Sequence, residues 1–319
     1  MDKEKLRYEC KRLIECYSIA DSEELIDVYS ELFFRFVMNH HEEPVYSQAD
    51  SDAKIILQMV MTKTLYIKST IQGISYDAKD GSIMKKIIDP TIVASLVRNI
   101  YETVGLFNLI YRDTKNTNEK NIIYLLWVIS GLKHRQRFED AATTNENITK
   151  YEQEKKDIET YTKHIEDNDL FNKLNSKDQE KIRTKLKQRD YKIRFEDNEV
   201  FFVNWNEMTT TMGIKEDLFE HIYTDLSFYS HPSNVAVFQF GDMFEEGKES
   251  FLELTNFFLK IAFILFSIFI ADYINLFPSV LKTYNSMNIR DQFVINYFNT
   301  LTRGNDYSIN DSLKYLQDN

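Results

Sequence analysis

"TIVASLVRNIYETVGLFNLIYR", residues 91–112, is apolar or aromatic at nearly every interior position except Ser95, Arg98, Asn99, Glu102, Thr103, Gly105 and Asn108. A surface helix carries one apolar stripe, so a segment apolar on most sides is a helix buried in a core. Asp89 and Pro90 open it, with proline in the first turn, where its missing N–H costs nothing. Ser95, Arg98, Glu102 and Gly105 recur at spacings of three, four and three, which places them on one narrow polar line. Arg98 and Glu102 are therefore expected inside the fold or lining a cleft. An isolated buried charge costs several kcal/mol, so the simplest arrangement is mutual neutralisation across one turn. The alternative is that the pair aims a rigid guanidinium fork at a phosphate or carboxylate.

Outward from this helix, the same periodicity predicts helices over 2–18, 22–40, 49–72, 121–138, 215–230, 249–277 and about 280–300. Asp21 or Ser22 is placed to cap the second, Gly73 and Gly81 bracket a loop, and Pro278 sets a break or kink before the last. "YKIRFEDNEVFFVNW", 191–205, shows the only strand-like alternation and is read as an extended return into the core. Eight glycines and four prolines among 319 residues leave little material for a turn-rich β-sandwich. The expected fold is all-α, a multi-helix bundle without internal repeats or a glycine-rich nucleotide fingerprint.

From about 139 to 198 the composition turns to Lys, Glu, Asp and Asn, yet Ile148, Tyr151, Ile158, Tyr161 and Ile165 keep a helical stripe and "SKDQ", 176–179, resembles a capping box. This predicts a charged helical hairpin, 139–198, inserted between an N-terminal helical part, 1–138, and a C-terminal part of the same core, 199–319. Its solvated face is the expected contact for a protein partner.

A net charge of −11 disfavours attraction to nucleic acid or anionic membranes over the whole surface, while leaving a local basic patch open. Cys10 and Cys16 offer no metal or redox motif, and a reducing cytoplasm is expected. The charged N-terminus lacks the apolar run of a secretion signal. "IAFILFSIFIADYINLF", 261–277, is broken by Asp272 and reads as a core helix rather than a membrane span. No histidine has glutamate three residues before it, and His40, His41, His221 and His231 are scattered without cysteine support, so neither a metal nor another cofactor is expected.

"LSFYSHPSNV", 226–235, closes an apolar run on a polar cluster. Pro232 disfavours helical backbone at His231, so the imidazole is expected at a helix C-terminus, where the helix dipole favours imidazolium. Ser227 lies four residues earlier on the same side, while His221 and Asp225 form a separate pair. Six residues of helix rotate Asp225 away from His231, and no nucleophile elbow is present, so a Ser-His-Asp triad is not expected. Tyr229 and Asn234 flank the cluster and join the candidate binding residues.

The Arg98–Glu102 helix, the Trp-containing helix ending "GLKHRQRF", and "Y..LS.YSHPS" from Tyr223 to Ser233 together resemble an uncharacterised bacterial family of all-helical proteins with a domain of unknown function, over about 90–240. In outline that family is similar to HEPN proteins, helical bundles that often act as metal-independent ribonucleases in bacterial toxin and phage-defence systems. There the active motif is Arg followed after four to six residues by His, at a dimer interface. The resemblance implies a stress or defence role, a homodimer, and RNA as partner if the chain is a nuclease. After Arg98 the motif's histidine positions hold Thr103, Val104 and Gly105, and the motif is matched only by Arg35 with His40 and His41. Two pairs thus carry the chemistry in prospect: His231 with Arg98, joined by Glu102 and Ser227, or Arg35 with His40. In either, histidine removes the 2′-OH proton and arginine meets the phosphate charge. Lys133, His134, Arg135 and Arg137 in "KHRQR" would hold backbone phosphates, unless they are only cations at a helix C-terminus. The function expected first is a non-enzymatic helical interaction module, in which Arg98, Glu102, Ser227 and His231 form a buried polar network and the charged hairpin contacts a protein partner; the metal-independent ribonuclease or toxin is the alternative.

Overall fold

The computed structural model describes residues 2–216, 218–246 and 248–317. It comprises two compact units, residues 1–107 with 212–319, and residues 108–211. Among the described residues the fold is all-helical apart from two short strand pairs.

The first unit is built from α1 (Lys3–Glu15), α2 (Ile19–His40), α3 (Gln48–Thr70), a hairpin of β1 (Ile74–Asp77) and β2 (Ile83–Ile87), and α4 (Pro90–Tyr111) up to Phe107. The cap of α2 is Ser18 rather than Asp21 or Ser22. Its Oγ accepts from the Asp21 N–H at 3.1 Å while Asp21 accepts from the Ser18 N–H at 3.2 Å, a reciprocal box that starts the helix three residues earlier than expected. The segment between Gly73 and Gly81 is not a plain loop but one arm of the β1–β2 hairpin. Most of its residues are exposed, so no alternation of apolar and polar positions announced it.

The second unit, residues 108–211, contains α5 (Thr117–Arg135), α6 (Asn145–Glu166), α7 (Asp169–Lys173), α8 (Ser176–Gln188), β3 (Ile193–Glu196), β4 (Glu199–Phe202) and α9 (Met208–Thr211). The charged stretch is helical, and the compact unit extends beyond 139–198 to include α5 and the β3–β4 hairpin. Asn175, not Ser176, caps α8, its side chain accepting from the Asp178 N–H at 2.9 Å. The strand-like 191–205 is a tight antiparallel hairpin, with Ile193 opposite Phe202 and Glu196 opposite Glu199. Its two turn residues, Asp197 and Asn198, take the left-handed backbone that such a turn demands and that Asp and Asn tolerate best.

The first unit is completed by α10 (Ile222–Ser230), α11 (Asn234–Glu246), α12 (Lys248–Leu276), α13 (Leu281–Asn285), α14 (Ile289–Arg303) and α15 (Lys314–Gln317). The helix expected from Lys215 begins only at Ile222, after a turn in which Phe219 is left-handed; Asp217 lies outside the described residues. Residues 251–276 are long and apolar enough to cross a membrane by length and composition, yet 83% of their most apolar 18-residue stretch is buried within the fold. It packs as the core helix: Phe263 stacks on Tyr29 at 5.8 Å, Phe266 meets Phe33 at 5.6 Å, and Phe269 meets Phe107 at 4.8 Å. Each such fully buried ring stabilises the fold by about 1.5–3 kcal/mol. Asp272, which breaks the apolar run, pairs with Arg303 of α14 at 2.8 Å.

Candidate active site at the α4–α10 junction

α4 and α10 meet over the polar line of α4. Arg98 Nη1 donates to Nε2 of His231 at 2.7 Å, Arg98 Nη2 donates to the Tyr223 hydroxyl at 2.7 Å, and that hydroxyl donates to Glu102 Oε1 at 3.1 Å. The guanidinium lies 5.0 Å from the Tyr223 ring centre, and its Nε stands 3.2 Å from Glu102 Oε1 as an ion pair. Arg98 and Glu102 are 22% and 30% exposed, so they lie neither deep in the core nor on an open face.

His231 ends α10 with extended backbone, as a residue before proline should. A guanidinium can only donate, so Nε2 accepts and the proton of the ring resides on Nδ1. The contact with Arg98 fixes the orientation of the ring at the end of α10. His231 is exposed and borders a cleft of about 380 Å3 with Asp89, Ser95, Tyr229, Ala236 and Phe240.

Two neighbours complete the electrostatics. Burial, then the charge of Glu102, pushes the Tyr223 hydroxyl above its ordinary range, against the opposing hydrogen bond and charge of Arg98. Lys63 of α3 donates to Thr103 Oγ1 on α4, and burial holds its ammonium below the usual lysine range despite the opposing charge of Glu102. Neither Tyr223 nor Lys63 was singled out as a site residue from the sequence. Tyr223 sits eight residues before His231, outside the four-residue spacing used to search one helix face, and Lys63 belongs to another helix altogether.

The remaining candidates are placed elsewhere or otherwise engaged. Ser227 Oγ donates to the Tyr223 carbonyl at 2.7 Å, a bond within its own helix. Tyr229 donates to Gln239 and packs edge-on against Phe258 at 5.2 Å, and Asn234 is exposed at the start of α11. The members of the rival pair have other partners: Arg35 binds Glu31 at 2.7 Å on the surface, while buried His40 meets the Tyr273 hydroxyl at 2.8 Å and Glu43 at 3.3 Å. Burial and then the charge of Lys54 hold His40 below its ordinary pKa, with Glu43 opposing. In the second unit, Lys133 donates to the Leu186 carbonyl at 2.9 Å and Arg135 is forked onto Glu154, while His134 and Arg137 are exposed. Among the described residues no group of three or more His, Cys, Asp or Glu is arranged to hold a metal ion.

Fold and site together define a helical protein with an Arg-Tyr-Glu-His constellation whose histidine borders a surface cleft. The chain belongs to a family of unknown function (DUF5677), whose family model matches residues 83–249. Arg98, Glu102, Tyr223 and His231 fall within the matched residues, and Arg35 and His40 fall outside them. Neither the curated proteins nor the solved structures yield a match.

Proposed function

We propose that the α4–α10 junction is the site of a metal-independent ribonuclease. The observation that carries this reading is the 2.7 Å contact between Arg98 and the acceptor nitrogen of an exposed His231, which sets a neutral base beside a phosphate-matching fork at the edge of a cleft. A phosphate oxygen entering between them takes over the Arg98 donor and frees Nε2. His231 then removes the 2′-OH proton, the 2′-oxygen bonds to phosphorus, the P–O5′ bond breaks, and the leaving 5′-oxygen takes a proton from water. The products are a 2′,3′-cyclic phosphate and a 5′-hydroxyl. Arg98 meets the charge that builds on the phosphate, held in aim by Tyr223 and Glu102.

Both arginine and histidine come from one chain, so this site needs no second copy, although the HEPN outline suggests a homodimer. That outline also supports a role in bacterial stress or phage defence, in the cytoplasm. A second reading, a helical interaction module with the same residues as a register-fixing network, is favoured by how fully Tyr223 and Glu102 engage Arg98. Inducing wild type, Arg98→Ala and His231→Ala in a bacterial host separates the two. Growth arrest with RNA fragmentation that both substitutions abolish, while circular dichroism shows them folded, supports the nuclease. A harmless wild type whose variants lose only melting temperature supports the module.

A further inference from the structure

The charge of the chain is unevenly divided. In the second unit 19 Lys and Arg balance 19 Asp and Glu, so the whole −11 excess belongs to the first unit. Within the second unit, residues 173–194 hold nine Lys and Arg against three Asp and Glu, the greater part of them on α8. The C-terminal end of α5 comes alongside this stretch: Ser130 Oγ donates to the Arg189 carbonyl at 2.6 Å and Lys133 Nζ to the Leu186 carbonyl. Lys133 and Arg189 are thereby brought close, and burial followed by the charge of Arg189 holds the Lys133 ammonium below its usual range. Crowded cations of this kind are relieved by an incoming anion.

Aromatic rings are interleaved with these cations. Lys185 stands 4.5 Å above the Phe202 ring, Lys181 5.4 Å above Phe201, and Lys192 5.3 Å from both Tyr191 and Trp205. Asp178 accepts from Lys181 at 2.6 Å, and Asp190 accepts from Lys185 at 2.6 Å and from Lys192 at 2.5 Å. These three lysines are thus fixed as scaffold, whereas Lys173, Lys177 and Arg189 are exposed, as is Lys187, whose contact with Glu180 at 3.1 Å lies in solvent. Phe201 and Phe202 are 41% and 48% exposed, large rings left in water beside a basic helix. Basic side chains tracking a backbone, with aromatic faces for bases, are how proteins hold unpaired strands; a duplex keeps its bases stacked inside and cannot use the rings.

We propose that the α5–α8–hairpin face of the second unit binds single-stranded nucleic acid, with phosphates on Lys187, Arg189 and Lys133 and bases on Phe201 and Phe202. This surface does not depend on cleavage at Arg98 and His231, and the test keeps the two apart. Fluorescence anisotropy on the full chain would use labelled 2′-O-methyl ribo-oligonucleotides, which lack the attacking hydroxyl, deoxy-oligonucleotides, a duplex of the same length, and an acidic peptide as competitor. The expected result is binding of the single strands that weakens as salt rises. Lys187→Glu with Arg189→Glu should lose at least about tenfold at low salt, and Phe202→Ala about tenfold through lost stacking. All three side chains lie at the surface, so folding is not at stake. Tighter binding of the ribo strand assigns the surface to RNA, of the deoxy strand to DNA, and either supports the proposal. It is overturned if wild type binds no strand, if duplex binds as well and Phe202→Ala is silent, or if the acidic peptide displaces the strands at lower concentration, which would mark a protein-binding face.

Discussion

Replacing Tyr223 with phenylalanine removes one oxygen and leaves the ring over Arg98 in place. That oxygen accepts from Arg98 at 2.7 Å and donates to Glu102 at 3.1 Å. A hydrogen bond to a charged group contributes about 1.5–3 kcal/mol when buried. Both partners are partly exposed, so water replaces much of what is lost, and the net destabilisation should be about 1–2 kcal/mol. For a chain of this size that lowers the melting temperature by about 1.5–3 °C, read by circular dichroism. The functional consequence is separable: with one of its anchors gone, Arg98 aims less well at the transition state, so kcat for RNA cleavage should fall about tenfold with KM little changed. Tyr223 is a positioning residue in this scheme. A variant that melts and cleaves as wild type does would refute the idea that the phenol holds the guanidinium in place. A loss of stability with unchanged kcat would confine Tyr223 to packing.

Arg303 and Asp272 are 0% and 2% exposed, so Arg303→Ala takes the guanidinium away from a buried carboxylate and should cost about 3–5 kcal/mol in urea unfolding, while Arg303→Met with Asp272→Leu should recover most of it. Burial works to raise the Asp190 carboxyl, but hydrogen bonds and charges from Lys185 and Lys192 prevail and hold it down to about 2. A carboxyl depressed on folding stabilises above its unfolded pKa of about 3.8, so this contribution is intact at neutral pH and lost between about pH 4 and 2. After allowance for solvent screening it is about 1–2 kcal/mol, and Asp190→Asn should flatten the acid limb of stability against pH. Burial pushes the Cys10 thiol up to about 11, so a thiol reagent at neutral pH should label it only at the rate of unfolding.

Much of the fold was legible because helical periodicity is local. The all-apolar reading of 91–112 placed α4 in the core, and Pro232 fixed the end of α10 at Ser230. What escaped was of two kinds. The β1–β2 hairpin and the Ser18 cap depend on backbone hydrogen bonding among exposed residues, where no burial pattern exists to be read. The contact of Arg98 with His231 spans 133 positions, and nothing along the chain encodes such a distance. Spacing within α4 brought out Arg98 and Glu102, and spacing within α10 brought out His231, but also Ser227, whose hydroxyl turns back onto its own helix. Tyr223, which ties the two helices together, opens the motif quoted from the sequence, but no spacing there gave it a role in the site.

The most direct test of the central claim is the chemistry of the RNA ends. Purified chain incubated with a ribo-oligonucleotide in excess chelator should yield fragments whose masses show 2′,3′-cyclic phosphate and 5′-hydroxyl ends. Folded Arg98→Ala and His231→Ala should yield none, and the 2′-O-methyl form of the strand should stay intact. Intact RNA after incubation with a folded wild type, or fragments that persist undiminished in His231→Ala, would contradict an Arg98–His231 active site.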